Sequence, residues 1–249
     1  MKKIICLLCL SSAIAQADTT LRYTSNGDTV HSVIQLIDDK VHMISQGEGK
    51  ISMLFDAKSS TFTTLMHDEK KYMSFGPKEI EAIGDIASIM EAEMEKQLAQ
   101  MPASQREQMR DMMMGMLKQQ MPKQTPKPNY SKTGMEKSYN GFSCEIVVKK
   151  VEEQTSGNFC VSEYADLGIS SSEYNAISSL MEVAEKMASQ FGHDNSMNFS
   201  SIGKFVPVQF SANDETGTLQ SVSHDPIDPS VFMIPEDYSK EEIDIPGLQ

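Results

Sequence analysis

Short runs of alternating apolar and polar residues fill the chain from residue 20 to residue 75. A period of two is typical of β-strands that bury one face. Turn-forming residues such as Asn26-Gly27, Asp38-Asp39 and Asp68-Glu69 separate the runs. The pattern predicts an antiparallel meander of six strands: Leu21–Ser25, Thr29–Ile37, Lys40–Ser45, Ile51–Asp56, Thr61–His67 and Lys71–Phe75.

After this meander the hydrophobic period changes to three and four residues, which predicts amphipathic helices. One stripe comprises Ile80, Ile83, Ile86, Met90 and Met94, and another comprises Met109, Met112, Met113, Met116 and Leu117. A break is expected near Met101-Pro102, and the proline-rich segment 122–128 ends the helical stretch. Residues 77–121 are therefore predicted to form a Met-rich helical insertion.

A further helix is predicted after Ser170, which forms a capping box with Glu173. Ile169 and Tyr174 occupy the positions of a hydrophobic staple across that helix start. The remaining alternating runs predict more strands: Ser131–Ser138, the segments around Cys144 and Cys160, Phe205–Ala212, Thr218–His224 and Ser230–Ile234. No internal repeat or long linker interrupts residues 18–249, so a single α+β domain is expected.

The first seventeen residues are typical of an export signal. Lys2 and Lys3 precede an apolar run, and Ala15-Gln16-Ala17 gives the small-x-small pattern of a cleavage site. We expect cleavage after Ala17 and a periplasmic or secreted protein without a transmembrane segment. Loss of the two lysines would change the net charge from −13 to −15. Such an acidic chain is not expected to bind nucleic acid.

Two cysteines, Cys144 and Cys160, remain after the expected cleavage. Both lie in strand-like runs, and an exported protein meets an oxidising environment. The pattern favours a Cys144–Cys160 disulfide that would require a bulge or non-adjacent pairing. Two inert buried thiols are the alternative.

No motif for nucleophilic, phosphate-binding or dinucleotide chemistry is present, so an enzyme is the least favoured interpretation. The histidines have no metal-site spacing, and neither a cofactor nor a metal site is predicted. The chain contains 19 methionines, many of them clustered between residues 90 and 121. Methionine most often fills irregular space in a core. The alternatives are a Cu(I) or Ag(I) site of soft thioether ligands, an oxidant buffer, or an adaptable apolar surface.

Several short segments resemble a family of exported bacterial proteins that is defined as a domain of unknown function. The resemblance rests on Leu54-Phe55-Asp56 with Phe62–Tyr72, Thr133–Glu136 with Asn140–Cys144, Asp166–Ile169, Phe232–Tyr238 and the Met/Gln-rich helix around 101–106. It implies a fold similar to the lipoprotein carriers LolA and LolB. The expected architecture is a curved antiparallel sheet, or half-barrel, with amphipathic helices on its concave face. No active-site residues are known for this family, so the resemblance implies none in this chain.

Together these features predict a non-enzymatic binding protein for a lipid or another apolar ligand. The expected ligand-facing residues are Val30, Ile34, Met43, Met53 and Phe55 on the sheet, with Met109, Met112, Met113 and Met116 opposite them. A completely filled core is the structural alternative. A Met-rich envelope protein that binds Cu(I) or Ag(I), or buffers oxidants, is the functional alternative. The sequence predicts no particular protein partner.

Overall fold

A computed structural model of the chain describes residues 18–25, 30–45, 50–84, 86–102, 105–107, 109–113, 126–190, 197–212 and 215–242. The predicted first meander is present there. Its strands are β1 (Thr19–Thr24), β2 (Val30–Ile37), β3 (Lys40–Ser45), β4 (Ile51–Asp56), β5 (Thr61–Met66) and β6 (Lys71–Phe75). Tight turns join neighbouring strands because residues such as Asp38 and Lys70 adopt the left-handed conformation.

The second half of the chain forms another meander, and one short strand follows it. These strands are β7 (Asn129–Tyr139), β8 (Phe142–Val151), β9 (Gln154–Glu163), β10 (Phe205–Ala212), β11 (Glu215–Ser223) and β12 (Ser239–Lys240). β1 pairs with β2 on one side and with β11 on the other. The two meanders therefore form one twelve-stranded sheet in the order β12-β6-β5-β4-β3-β2-β1-β11-β10-β9-β8-β7.

The expected half-barrel with helices on its concave face is wrong. The sheet is open, with β12 and β7 as its two outer strands, and it is mixed because β12 runs parallel to β6. The predicted strand Ser230–Ile234 is instead part of a short 3-10 helix, Pro229–Phe232. Pro229 presets the first helical residue, and the Asp228 side chain accepts a hydrogen bond from the Ser230 amide at 2.9 Å.

The described helices are α1 (Pro77–Gly84), α2 (Ile86–Ala99) and α3 (Ser171–Gln190), and residues 105–107 and 109–113 are also helical. The capping box of α3 is confirmed. The Glu173 amide donates to Ser170 Oγ at 3.2 Å, and the Ser170 amide donates to Glu173 Oε2 at 2.8 Å. Ile169 and Tyr174 are both buried in the main core, as a hydrophobic staple requires.

One face of the β1–β6 meander packs beneath α3. This first face carries Leu21, Leu36 and Phe55, and the opposite face is called the second face. The register places Ile34 opposite Met43, and Met43 opposite Met53. Buried side chains from strands and helix meet in one cluster that includes Leu21, Leu36, Val41, Phe55, Tyr174, Ala176 and Leu180. Alternation along each strand therefore directs these apolar residues toward α3.

The second face of this meander meets the C-terminal segment 225–242. Phe232 lies edge-on to the His42 ring, and the Tyr238 hydroxyl is 2.7 Å from His67 Nδ1. The Ser239 amide donates to the Lys70 carbonyl, which anchors β12 at the edge of the sheet. Phe232 therefore helps to bury His42, and the His67 ring that contacts Tyr238 also hydrogen-bonds the buried Ser52 on the same face.

The predicted disulfide between Cys144 on β8 and Cys160 on β9 is confirmed, with a Cα–Cα distance of 5.3 Å. Cys160 lies opposite Ile146 in the strand register, so the bond joins diagonal neighbours. The expected irregularity is present as a register shift between Lys149 and Lys150. The bond links two adjacent strands, and both cysteines belong to the main core.

Candidate functional site

An apolar cavity of about 150 Å³ lies between α3 and the first face of the sheet. Six buried residues form its floor: Leu21, Tyr23, Tyr174, Phe199, Phe205 and Val206. Half-buried residues form its rim, including Ser32, Ile34, Met43, Ile177, Ser178, Met181, Met197, Asn198 and Phe210. An apolar cavity of this size can hold a ligand as large as benzene.

The floor is rigid because its aromatic side chains are fixed by other contacts. The Tyr23 hydroxyl donates to the Pro207 carbonyl at 2.8 Å, and burial raises the pKa of this phenol. The Tyr174 ring stacks on Tyr164 with ring centroids 4.8 Å apart. Burial also raises the pKa of Tyr174, although contacts with Ser178 and with the Phe205 backbone partly oppose that change. Both phenols are therefore neutral at physiological pH and supply apolar ring surface.

The rim contains adaptable side chains. Met43 comes from β3, Met181 from α3 and Met197 from the segment after α3, so three separate elements each place a methionine there. Methionine is unbranched and has several rotatable bonds, which lets it adjust to ligands of different shape. A rigid aromatic floor with a movable thioether rim suits reversible uptake of an apolar group.

A hydrogen-bonded polar pair adjoins the rim. Asn198 lines the cavity, and its side-chain amide donates to Glu185 Oε2 at 2.9 Å. Glu185 lies four residues after Met181 on α3, so the two side chains occupy the same face of the helix. A carboxylate of α3 is therefore held beside the cavity by a rim residue.

The predicted ligand-facing residues have different positions in the structure. Ile34 and Met43 line the cavity, whereas Phe55 is buried in the main core and Met53 is half-buried beside Met43 in the register. The side chains of Val30 and Met116 lie outside the described residues. Only part of the predicted sheet surface therefore contributes to the cavity.

The Met-rich helical segment does not line this cavity in the described part of the chain. Met112 is 49% exposed, and Met109 and Met113 are half-buried. The cavity is covered instead by α3 and residues 197–199. The sequence predicted α3, but none of its residues was among the expected ligand-facing residues. The aromatic residues Phe199, Phe205 and Phe210 gave no signal that would have separated a cavity wall from a core.

A second depression of about 470 Å³ lies beside the disulfide and has a different character. It is lined mostly by polar and charged residues of β7, β8 and β9. Two of them form an ion pair, with Lys132 Nζ 2.8 Å from Glu145 Oε2. Lys132 Nζ also lies 4.7 Å from the centre of the Phe205 ring. A surface lined mostly by polar and charged groups does not suit an apolar ligand.

Within the described residues, no three His, Cys, Asp or Glu side chains form a group suited to a metal ion. None of the helices in that part of the chain combines the length and apolar composition needed to cross a lipid bilayer. The cavity presents hydrophobic surface together with one polar pair at its edge.

Comparison with known proteins does not assign the chain to a family. No protein-family model matches it, and no curated protein matches it significantly. Two solved structures of PNGF-II, in the P21 and C2 space groups, align with 92% of this chain at TM-scores of 0.45 and 0.43. Their identities are 10% and 9%, and the chain spans only about a third of their length, 32% and 31%.

Proposed function

We propose that this chain is a non-enzymatic binding protein for a lipid or another apolar ligand, exported through its N-terminal signal and cleaved after Ala17. The cavity between α3 and the sheet is the observation that supports this function most directly. Its floor is hydrophobic, and its rim is half-exposed, so a ligand can enter without unfolding the core. The Cys144–Cys160 disulfide fits a protein that works in an oxidising compartment.

The cavity volume limits the bound part of the ligand. About 150 Å³ accommodates one ring or a short length of a single hydrocarbon chain, whereas most pockets for drug-sized ligands exceed 300 Å³. We therefore propose that the cavity holds only the apolar end of a ligand. Movement of the rim methionines would adapt the opening to the remainder of the molecule.

Binding of the neutral fluorescent dye N-phenylnaphthylamine tests this proposal. The dye should bind saturably to the wild-type protein and fluoresce more strongly in the apolar site. Ser178→Phe places a bulky ring at the rim from α3, so this variant should lose most of the dye binding. Ser178→Ala is the matched control, because it removes the same hydroxyl without filling the space.

Equal dye binding by the wild type and by Ser178→Phe would contradict the proposed site, provided that the variant retains the circular dichroism spectrum of the wild type. Saturable binding that only Ser178→Phe abolishes would support it. Native mass spectrometry of protein purified gently from the cell envelope would then identify the natural ligand by its mass.

A further inference from the structure

The position of Glu185 bears on the charge of the ligand's head group. Its carboxylate is half-buried and is held by Asn198, a residue of the cavity rim. Asn198 is itself fixed, because its Oδ1 accepts a hydrogen bond from the Ser200 amide at 3.1 Å. The carboxylate is thus positioned beside the opening before any ligand arrives.

None of the described residues that line the cavity is charged, so a charge on a ligand is expected to remain outside it. Glu185 is one helical turn beyond Met181, which places its negative charge where an emerging head group would lie. On the same part of α3 the exposed Glu182 adds a second negative charge and the exposed Lys186 adds one positive charge, so the local sum stays negative. The local charge complements a cation.

Lys132 lies close to the cavity-floor residue Phe205, but its charge is paired with Glu145 at 2.8 Å. Lys204 is another nearby positive group and would favour an anionic ligand. Its Nζ lies 5.9 Å from the Tyr164 ring centre and 6.0 Å from the Tyr174 ring centre. Lys204 does not line the cavity, and these contacts direct its charge onto the aromatic pair. Glu185, by contrast, is bonded directly to a rim residue. The geometry therefore favours a cationic head group over an anionic one.

We propose that the cavity binds the hydrocarbon end of a single-chain amphiphile whose head group is cationic, and that the Glu185 carboxylate contacts this head group. The inference rests on the apolar-ligand function proposed above and specifies the class of ligand. A single chain follows from the small cavity volume, and the positive charge follows from the position of Glu185.

Three ligands with the same alkyl chain and different head groups test the inference by isothermal titration calorimetry, below their micelle concentrations. They are decyltrimethylammonium, the neutral decyl maltoside and the anionic decanoate. The wild-type protein should bind the cation about two- to five-fold more tightly than the neutral ligand, the range expected for a partly exposed ion pair. Decanoate should bind most weakly.

Glu185→Gln keeps an oxygen that can accept from Asn198 but removes the charge. This variant should lose the preference for the cation and bind decyl maltoside as the wild type does. Glu236→Gln is the matched control, since it makes the same charge change at an exposed residue of the C-terminal segment and should keep the preference.

The outcomes separate the two proposals. If none of the three ligands binds, the apolar-ligand function fails, and the head-group inference fails with it. If decyl maltoside binds but the cation has no advantage, only the head-group inference is overturned. The same holds if decanoate binds most tightly, or if Glu185→Gln keeps the preference for the cation.

Discussion

Acidification from pH 7 to pH 5 should destabilise the protein through His42. This residue lies on β3 and is only 8% exposed. Its Nδ1 is 3.0 Å from Gln35 Oε1, and its ring packs edge-on against Phe232 with centroids 6.1 Å apart. Burial, with a smaller contribution from the charge of His67, lowers the pKa of His42 to about 4. The folded protein therefore favours the neutral imidazole.

The direction of the pH effect follows from comparison with the unfolded chain, where the pKa is the ordinary 6.5. The unfolded state takes up the proton first as the pH falls, so acid favours unfolding. The contribution of His42 is fully present above about pH 6.5 and decreases as the pH falls toward about 4. Linkage gives a loss of about 2 kcal/mol between pH 7 and pH 5.

Urea unfolding at both pH values, followed by circular dichroism, measures this loss as a change in the free energy of unfolding. His42→Gln cannot take up the proton, so its stability should fall by about 2 kcal/mol less than that of the wild type over the same interval. His224→Gln, at an exposed histidine, should behave as the wild type does. Equal losses in the wild type and in His42→Gln would refute the assignment of the acid sensitivity to His42.

Two further changes test local stabilising features. The double Cys144→Ala, Cys160→Ala variant should keep the fold but lose about 2–4 kcal/mol of unfolding free energy, because the disulfide no longer constrains the unfolded chain. Thiol labelling is the second check: two free thiols in the denatured, unreduced wild-type protein would show that the bond does not form. Ser170→Ala should cost about 1 kcal/mol by leaving the Glu173 amide without its cap, and Ser171→Ala, one residue further along, is the control for urea unfolding. An equal cost in both variants would show that the capping box is not the stabilising contact.

The features that the sequence predicted well depend on neighbours close along the chain. The six strands of the first meander follow from a period of two between turn residues, and their bounds agree closely with the structure. Ser170 and Glu173 are three residues apart, so the capping box that begins α3 could be predicted directly. Cys144 and Cys160 lie in consecutive strands, so their pairing could also be predicted from a short stretch of sequence.

The open sheet and the cavity depend on contacts that local patterns do not encode. Tyr23 of β1 lies opposite Leu219 of β11, and Lys71 of β6 lies opposite Ser239 of β12. Alternation shows which face of a strand is apolar, but it does not select a partner strand so distant along the chain. The cavity could not be predicted for a similar reason. An apolar stripe predicts that a helix face is buried, but it does not show whether the space opposite is filled or empty. Only the packing of α3 and residues 197–199 over the sheet decided that Ile34 and Met43 would border open space while Phe55 would not.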